Sequence, residues 1–380
     1  MYKNLQILDC HIHYALPTSP DDLVDIMNKT GTDFANLVIV PNRQRLNTVP
    51  DALKVKATYP DKFYVFASLD VSAYFRASKK VGIAMRDYAK QMLDCGCDGI
   101  KIIEGKPTMR KSLPIPDFDD EVWDPFFAWA ESEKVPILWH VNDPETYWDI
   151  DNAPAFAKER GWFYDESYIN NEKQYQQILN LLDKHPNLKI IFAHFFFMSA
   201  QLPRLSKILD KYPNVFIDTT HGIELYENLS KNQENAKQFF RKYIDRIVYG
   251  TDIGARCVLP GAPSTLNTKE CLLRAQIAQK FLTENEPIPV KADGDFLLSN
   301  EDFNLLGMNL DEIDAQKVFA DNFRSFVSKT PKKVNPKKVL KYLKTLKMLI
   351  RIMSMIDKTV KPDFTYVNQN IQFFKSIRKQ

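Results

Sequence analysis

The chain has 380 residues, of which 44% are hydrophobic, which is enough for the core of one α/β barrel, a fold of about 250 residues or more. Five cysteines without a Cys-x-x-Cys pair exclude a disulfide framework. An N-terminus without a signal-like segment, and the lack of any run of about 18 apolar residues, predict a cytoplasmic protein without a membrane span. Residues 331–380 carry 13 Lys or Arg and two Asp, near +11, so the net charge of +3 leaves the remainder near −8.

Eight apolar, strand-like runs alternate with segments of helical periodicity. The predicted strands are residues 5–10, 35–40, 63–69, 99–103, 135–141, 188–193, 215–218 and 246–250. The predicted helices include residues 21–29, 78–93, 122–133, 172–184, 202–211 and 234–243. Alternating β and α elements imply a parallel sheet, and eight such units favour a (β/α)8 TIM barrel. An open dinucleotide-binding sheet would need a Gly-rich turn after its first strand, where this chain has His11-Ile12-His13.

Two long segments interrupt the alternation. Residues 142–171, rich in aromatic side chains, follow the fifth strand, and residues 253–311 follow the eighth. Loops that follow barrel strands lie on the catalytic face, so both segments are predicted lids or pocket walls. We therefore predict a catalytic barrel domain over residues 1–330 and a basic helical extension over residues 331–380.

Histidines and one aspartate recur at the ends of the predicted strands. His11 and His13 end the first strand, His140 the fifth, His194 the sixth, and Asp252 the eighth. Residues i and i+2 of a strand face the same side, and barrel closure directs all five groups toward one axis. Imidazole and carboxylate ligands suit zinc and its first-row neighbours, so the sequence predicts a catalytic site with one or two divalent ions, zinc preferred. A single histidine after an apolar run is usually only packed. His185, at a helix exit, is interpreted as an exposed cap residue that is not a ligand.

Lys101 in the fourth strand can face the same interior. An ammonium group does not ligate a metal, but a lysine carboxylated by carbon dioxide can bridge two ions about 3.5–4 Å apart. The alternative is an unmodified lysine that binds an anionic substrate or pairs with a carboxylate. Lys101 is therefore a metal ligand only if it is carboxylated.

Five sequence stretches carry a resemblance to a known family. They are DCHIH at residues 9–13, HPNLKIIFAH at 185–194, YPNVFIDTT at 212–220, DRIVYGTD at 245–252 and VFADNFR at 318–324. Over roughly residues 5–328 the chain resembles the amidohydrolase superfamily, in particular its amidohydrolase-related branch of aminocarboxymuconate-semialdehyde decarboxylase-like enzymes and metal-dependent hydrolases. After His194 the branch often has Leu-Gly, where this chain has Phe195-Phe196-Phe197, so a different backbone geometry is expected there.

The resemblance implies roles for the strand-end residues. His11, His13 and His140 would be metal ligands, Asp252 a ligand, a general base or both, and His194 a further ligand or a catalytic acid/base. A metal-bound hydroxide would attack a carbonyl of an amide, ester or lactone, with Asp252 transferring the proton. The same set could instead assist non-oxidative decarboxylation of an aromatic or unsaturated acid. A third alternative is a non-catalytic scaffold with a vestigial site.

Substrate contacts are predicted on the loops of the catalytic face. Several cations near one mouth favour a small anionic substrate, although each could also be a solvated loop charge. Trp148 could line an aromatic pocket or belong to a small core that holds its loop, and His221 after the seventh strand could contact substrate or be structural. The predicted substrate-binding residues are Arg43, Arg45, Trp148, His221 and Arg256.

The basic extension has the spacing of an amphipathic helix from residue 336 onward. It could dock on the barrel or on a partner subunit, or lie on an anionic membrane surface. No nucleic-acid-binding motif is present, and the barrel is acidic, so nucleic acid is not a predicted partner. The predicted partners are a small-molecule substrate, a peripheral membrane or subunit contact through the extension, and further copies of the chain in a homo-oligomer.

Overall fold

Eight parallel strands form the centre of the molecule. The computed structural model describes residues 2, 4–15, 19–41, 48–151, 153, 155–159, 161–254, 268–291, 302–356 and 362–378. The strands pair in sequence order and are β1 (Leu8–His13), β2 (Phe34–Val38), β3 (Phe63–Ser68), β4 (Gly99–Gly105), β5 (Ile137–Val141), β6 (Ile190–Phe192), β7 (Val215–Asp218) and β8 (Ile247–Val248). Cys10 N donates to Tyr249 O at 3.0 Å and His13 N to Ile253 O at 2.8 Å, so the chain beyond β8 closes the sheet onto β1. The predicted (β/α)8 barrel is confirmed.

Helices cover the outside of the barrel. They are α1 (Pro20–Thr30), α2 (Val49–Thr58), α3 (Ala73–Arg76), α4 (Val81–Cys95), α5 (Pro107–Ser112), α6 (Asp124–Ser132), α7 (Ala155–Glu159), α8 (Asn171–Lys184), α9 (Leu202–Lys211), α10 (Ile223–Lys231), α11 (Gln233–Tyr243), α12 (Thr268–Thr283), α13 (Glu312–Gln316), α14 (Asn322–Phe326), α15 (Pro336–Ile356) and α16 (Thr365–Ile377). A short antiparallel hairpin, β9 (Ile288–Val290) and β10 (Phe303–Leu305), follows α12. The six predicted helices correspond to α1, α4, α6, α8, α9 and α11.

Local sequence signals set the helix boundaries. At α1 the Ser19 hydroxyl accepts a hydrogen bond from Asp22 N at 3.0 Å, and Pro20 occupies the first turn, where no N–H is needed. The helix ends at Gly31, whose φ of 70° is the left-handed conformation that glycine adopts most readily. The side chain of Asn170 caps α8 by accepting from Lys173 N at 3.2 Å. These caps fix the residues at which the chain enters and leaves the helices between the strands.

The barrel interior is apolar at one end and polar at the other. Leu8, Val38 and Phe66 belong to a buried interior cluster, which α14 closes with Phe323 and Phe326. The Phe323 ring lies 5.2 Å from that of Tyr64, and Phe326 lies 4.9 Å from Phe216, measured between centroids. Because aromatic rings fill the N-terminal end of the barrel, a pocket can open only at the C-terminal ends of the strands.

The segment after β5 has its own small core. Tyr147, Ala157 and Tyr164 are buried together, with Trp148 and Trp162 packed against them. The Trp148 indole donates to Ile169 O at 3.3 Å, and its ring lies 4.7 Å from that of Tyr164. Packing among its aromatic residues therefore stabilises the position of this loop after β5.

The basic extension forms two helices that pack on the barrel helices. Val339 and Leu343 of α15, and Val367 and Phe374 of α16, are buried within the same core cluster as the barrel. Asn370 of α16 donates to the Asp51 carboxylate on α2 at 3.2 Å. Residues 331–380 thus contact the barrel, while the domain boundary after Thr330 stays a prediction. Among the residues that the structure describes, no helix is both long and apolar enough to cross a membrane.

Candidate active site

Three of the predicted ligands converge at the C-terminal end of the barrel. Asp252 Oδ1 lies 3.1 Å from His13 Nε2 and 3.6 Å from His11 Nε2. One ligand atom from each of the three side chains lies within 4.8 Å of the others, and they form the one such group of His, Cys, Asp or Glu in the described ranges. β1 positions both histidines because their side chains share a face of the strand. The separation is of the order that a single ion can span.

His140 and His194 lie beside this group. The His194 ring is 5.6 Å from the His11 ring and 4.9 Å from the His140 ring, measured between centroids. His194 Nδ1 donates to the His221 carbonyl at 3.2 Å, which leaves Nε2 as its lone-pair nitrogen. Burial lowers the pKa of His140 and lowers that of His194 to about 3, so both rings are neutral near pH 7. All five predicted groups therefore line one opening at the C-terminal end of the barrel, which we call the mouth.

The turn at His194 has an uncommon backbone conformation. Four consecutive residues, His194 to Phe197, have φ between 51° and 59°, the left-handed region that costs a non-glycine residue roughly 1–2 kcal/mol. Packing holds the turn, since the Phe196 ring stacks on Phe192 at 3.9 Å and Tyr175 donates to the Phe196 carbonyl at 2.9 Å. Phe197 stacks on the His194 ring at 5.0 Å. The chain therefore departs from the common backbone geometry after His194, as expected, by forming a left-handed turn. This turn places the Phe197 ring against His194.

Asp218, at the end of β7, orients two of the histidines. Its Oδ2 accepts from His11 Nδ1 at 2.9 Å, and its Oδ1 accepts from His194 N at 2.7 Å. Burial lowers the pKa of His11, which is therefore neutral, carries its proton on Nδ1 and turns Nε2 toward the mouth. Sequence reasoning placed Asp218 in a motif but assigned it no role. A carboxylate behind a metal-ligating histidine is a common arrangement.

Lys101 faces the same interior. Its side chain is buried, and Nζ donates to His11 Nε2 at 3.1 Å. Burial lowers the pKa of Lys101 to about 8. The position beside His11 is where a bridging carboxylated lysine would have to lie, and carboxylation itself stays a prediction.

A second polar cluster forms one wall of the mouth. Asp143, three residues after His140, accepts from Lys106 Nζ at 2.6 and 2.7 Å and from His140 Nε2 at 3.3 Å, and the Tyr164 hydroxyl also donates to it. Burial raises the pKa of Asp143, but the Lys106 ammonium and the His140 ring together outweigh that effect and hold the pKa below its usual range. Sequence reasoning missed Asp143, although its spacing of three residues from His140 in HVND was a usable signal. The charge of Lys106 is neutralised by this carboxylate.

Two further side chains after β7, His221 on the loop and Glu224 in the first turn of α10, present buried polar atoms. Neither ring nitrogen of His221 and neither carboxylate oxygen of Glu224 has a hydrogen-bond partner in the described part of the chain. Burial raises the pKa of Glu224 to about 7, and the nearby Asp143 charge adds to that shift. Because buried polar groups are normally satisfied, these atoms are candidates to contact a ligand. His221 was predicted as a substrate contact, whereas Glu224 was missed.

The other predicted substrate contacts have different outcomes. Trp148 packs in the small core after β5, in line with the structural alternative, and its substrate contact stays a prediction. Arg43, Arg45 and Arg256 lie outside the described residues. His185 caps the end of α8, as expected, but it is buried and not exposed, because it packs beside Glu131 with Nδ1 at 3.3 Å from the carboxylate.

Comparisons with known proteins give a family model and several similar structures. A family model described as Amidohydrolase matches residues 8–322. No curated protein matches the chain. Among solved structures, an amidohydrolase II superposes with a TM-score of 0.52 at 14% identity, over 85% of this chain and all of the other. A 2,6-dihydroxybenzoate decarboxylase from Rhizobium has a TM-score of 0.49 at 14% identity, over 85% and 99% of the two chains. A 4-oxalomesaconate hydratase from Rhodopseudomonas palustris has a TM-score of 0.48 at 14% identity, over 90% and 99%.

Proposed function

The chain belongs to the amidohydrolase family, and from that premise we propose that it is a metal-dependent hydrolase that cleaves an amide, ester or lactone of a small substrate. Family membership makes it an enzyme, which argues against the scaffold alternative. The observation that carries the proposal is the convergence of His11, His13 and Asp252 at the mouth of the barrel.

The donor set fits a first-row divalent ion. Two imidazole nitrogens and one carboxylate oxygen are ligands that zinc accepts, and a site with three protein ligands leaves a position open for water or substrate. Burial keeps the His11 ring neutral, and the hydrogen bond from its Nδ1 to Asp218 directs Nε2 toward the mouth. His140 and His194 would complete the set on the other side of the mouth. A divalent ion held there lowers the pKa of water and polarises a carbonyl.

Asp252 is the proposed general base. Its carboxylate lies at the mouth and contacts both histidines of β1, while its side chain is 14% exposed, enough to meet an attacking water. Its backbone N–H donates to His11 O at 3.0 Å, which fixes the residue beside β1. Its φ of 58° is in the left-handed region, which is strained for a non-glycine residue. Asp252 would take the proton from the water and return it to the leaving group.

The mouth also suggests what the substrate offers. Glu224 presents buried acceptor oxygens, and the neutral His221 ring presents one acceptor and one donor nitrogen. A substrate that carries an amide or a hydroxyl group would satisfy both. Phe197 supplies an apolar surface beside His194. The substrate is also proposed to be anionic. This part of the proposal depends on Arg43, Arg45 and Arg256, which lie outside the described residues.

Metal analysis together with product detection tests this function. Chelator-free protein supplied with zinc or manganese should retain metal, and the variant His11→Ala/His13→Ala should lose it, while His185→Asn, a histidine remote from the mouth, should not. A second ion that disappears in Lys101→Ala would support the carboxylated bridge. Asp252→Asn should lower the rate of acid release from an amide, ester or lactone library by at least about a hundredfold.

Two results would contradict the proposal. Carbon dioxide release from hydroxybenzoate-like acids, without hydrolysis of the library, would establish the decarboxylase alternative. No retained metal in any sample would remove the hydrolase proposal. A cytoplasmic location and assembly into a homo-oligomer accompany the proposal as predictions.

A further inference from the structure

One end of α15 carries a concentrated apolar surface. Six large hydrophobic side chains within nine residues are 39–80% exposed, and we call this group the α15 tip: Met348, Leu349, Ile352, Met353, Met355 and Ile356. The other exposed large hydrophobic residues of the described chain are scattered, for example Tyr2, Ile150 and Ile313. Single exposed apolar residues are ordinary, but a contiguous patch marks an interaction site.

The tip is exposed because α15 is longer than the helix on which it packs. Asn335 N, just before α15, donates to Cys95 O at 2.9 Å, and Lys338 pairs with Asp94 at 2.7 Å, so α15 starts where α4 ends and runs antiparallel to it. α15 has 21 residues and α4 has 15. At 1.5 Å per residue the two lengths are about 32 and 22 Å, so the last turns of α15 extend beyond α4.

The overhang lies at the catalytic end of the barrel. α4 begins on the side to which the C-terminal end of β3 leads, and α15 extends past that beginning. α16 returns from the tip and reaches the first turn of α2, on the same side, where Asn370 donates to Asp51 at 3.2 Å. Phe75 of α3, between β3 and α4, is 67% exposed at this end as well. Two separate apolar features therefore accompany the mouth of the active site.

Positive charge accompanies the apolar surface. Residues 322–356 include ten Lys or Arg and no Asp or Glu. Lys337, Lys341 and Lys344 are exposed on α15, and by their helical spacing they share the outer side with Met348 and Ile352. Lys347 is used internally, donating to Asn368 at 2.6 Å. The outer face of α15 is thus cationic in its first half and apolar in its second.

We propose that α15 lies along an anionic lipid bilayer, with the α15 tip and the outer lysines of the helix against the membrane. Apolar side chains at the tip would enter the boundary between headgroups and acyl chains, while the lysines along the helix contact anionic headgroups. A second copy of the chain fits this surface less well, because two such helices would bring lysines against lysines without an acidic residue between them. The proposal does not depend on the reaction that the barrel catalyses.

Vesicle co-sedimentation of the full chain tests the proposal. Wild-type protein should pellet with phosphatidylcholine vesicles that contain phosphatidylserine and remain soluble with phosphatidylcholine alone. Lys337→Gln/Lys341→Gln/Lys344→Gln should weaken partitioning by about a hundredfold. Met348→Gln/Ile352→Gln/Met355→Gln should weaken it by about tenfold or more. The matched control Lys207→Gln/Lys237→Gln/Lys280→Gln removes three charges from α9, α11 and α12 and should pellet like the wild type.

Each other outcome overturns the proposal. If wild-type protein does not pellet with phosphatidylserine vesicles, the tip is not a membrane surface. If the lysine variant and the control lose vesicle binding equally, the attraction is unspecific and depends only on net charge. Full pelleting of the apolar variant would lead to the same conclusion. If the apolar variant instead converts a dimer into a monomer in sedimentation velocity without any vesicle binding, the tip is a subunit interface. Thermal melting of each variant checks that it is folded.

Discussion

Asp218 Oδ2 lies 2.9 Å from Nδ1 of His11, and the other oxygen of the same carboxylate accepts the backbone N–H of His194. One buried residue at the end of β7 therefore sets the ring orientation of a β1 ligand and holds the left-handed turn after β6. This couples three strands of the barrel at the proposed metal site. No interval in the sequence points to the coupling, because residues 11 and 218 meet only when the barrel closes.

Asp218→Asn should weaken metal binding. The asparagine side chain has one acceptor oxygen, so it can accept from His11 Nδ1 or from His194 N but not from both. Its NH2 group then faces the other N–H donor. We expect affinity for zinc to fall by about 10–100-fold, measured by chelator competition. Asp183→Asn, on the surface, is the control. Unchanged affinity in Asp218→Asn would show that the carboxylate does not support the ligand.

Lys134→Gly should stabilise the protein. Lys134 follows α6 with a φ of 53°, and Val135 N donates to Ala130 O at 2.8 Å while Lys134 N donates to Glu131 O at 3.1 Å, the hydrogen bonds of a Schellman motif. Glycine adopts this conformation without the penalty of a side chain, so the free energy of unfolding should rise by about 1 kcal/mol in urea titration. At the neighbouring Glu133, where φ is −88°, the change to glycine should give no gain. A destabilised Lys134→Gly would contradict this reading of the helix end.

Lys56→Met should destabilise the fold in a pH-dependent way. Lys56 Nζ pairs with the buried Asp98 at 2.5 Å and donates to Gly96 O at 2.8 Å. Removing the lysine leaves a buried carboxylate without its counter-ion, which costs about 3–5 kcal/mol near pH 7.

The sign of the pH dependence follows from Asp98. Burial raises its pKa even in the wild type, and loss of the lysine raises it further, so the folded variant binds a proton more tightly than the unfolded chain does. Such a group favours folding at low pH and loses that contribution as pH rises through the raised pKa. The deficit of Lys56→Met should therefore shrink toward pH 4, and Lys56→Met/Asp98→Asn should recover part of it at pH 7. A deficit that is constant with pH would contradict the ion-pair explanation.

Glu104→Gln should stabilise the protein at alkaline pH. Glu104 is buried, and burial raises its pKa to about 7, while Oε1 has no partner among the described residues. Because the folded pKa lies above the unfolded value, the wild type loses stability as pH rises from about 4.5 through 7, by about 3 kcal/mol in total. The variant lacks this loss, so its unfolding free energy should exceed that of the wild type at pH 8 and not at pH 4. Glu121→Gln, on the surface, should show no such difference.

The fold and the grouping of the candidate ligands could be predicted from local patterns. Eight apolar runs separated by helical periodicity indicate a barrel, and parallel closure alone then brings His11, His13, His140, His194 and Asp252 to one end. Glu224 was missed because an acidic residue in the first turn of a helix is ordinary, and Asp143 was missed because its spacing from His140 was an isolated signal. Only their burial and contacts distinguish them from solvated charges.

The sequence by itself determined the alternation of strands and helices, the strand-end positions of the candidate ligands and the basic amphipathic character of the extension, because these depend on residue type and short-range spacing. The tertiary structure alone decided the rest. Packing against Phe192 and Tyr175 stabilises a left-handed turn of bulky residues after His194 that local preference disfavours. The unequal lengths of α15 and α4 expose the apolar end of α15 beside the catalytic face. Both results depend on which surfaces meet, and surfaces meet only after long-range contacts have formed.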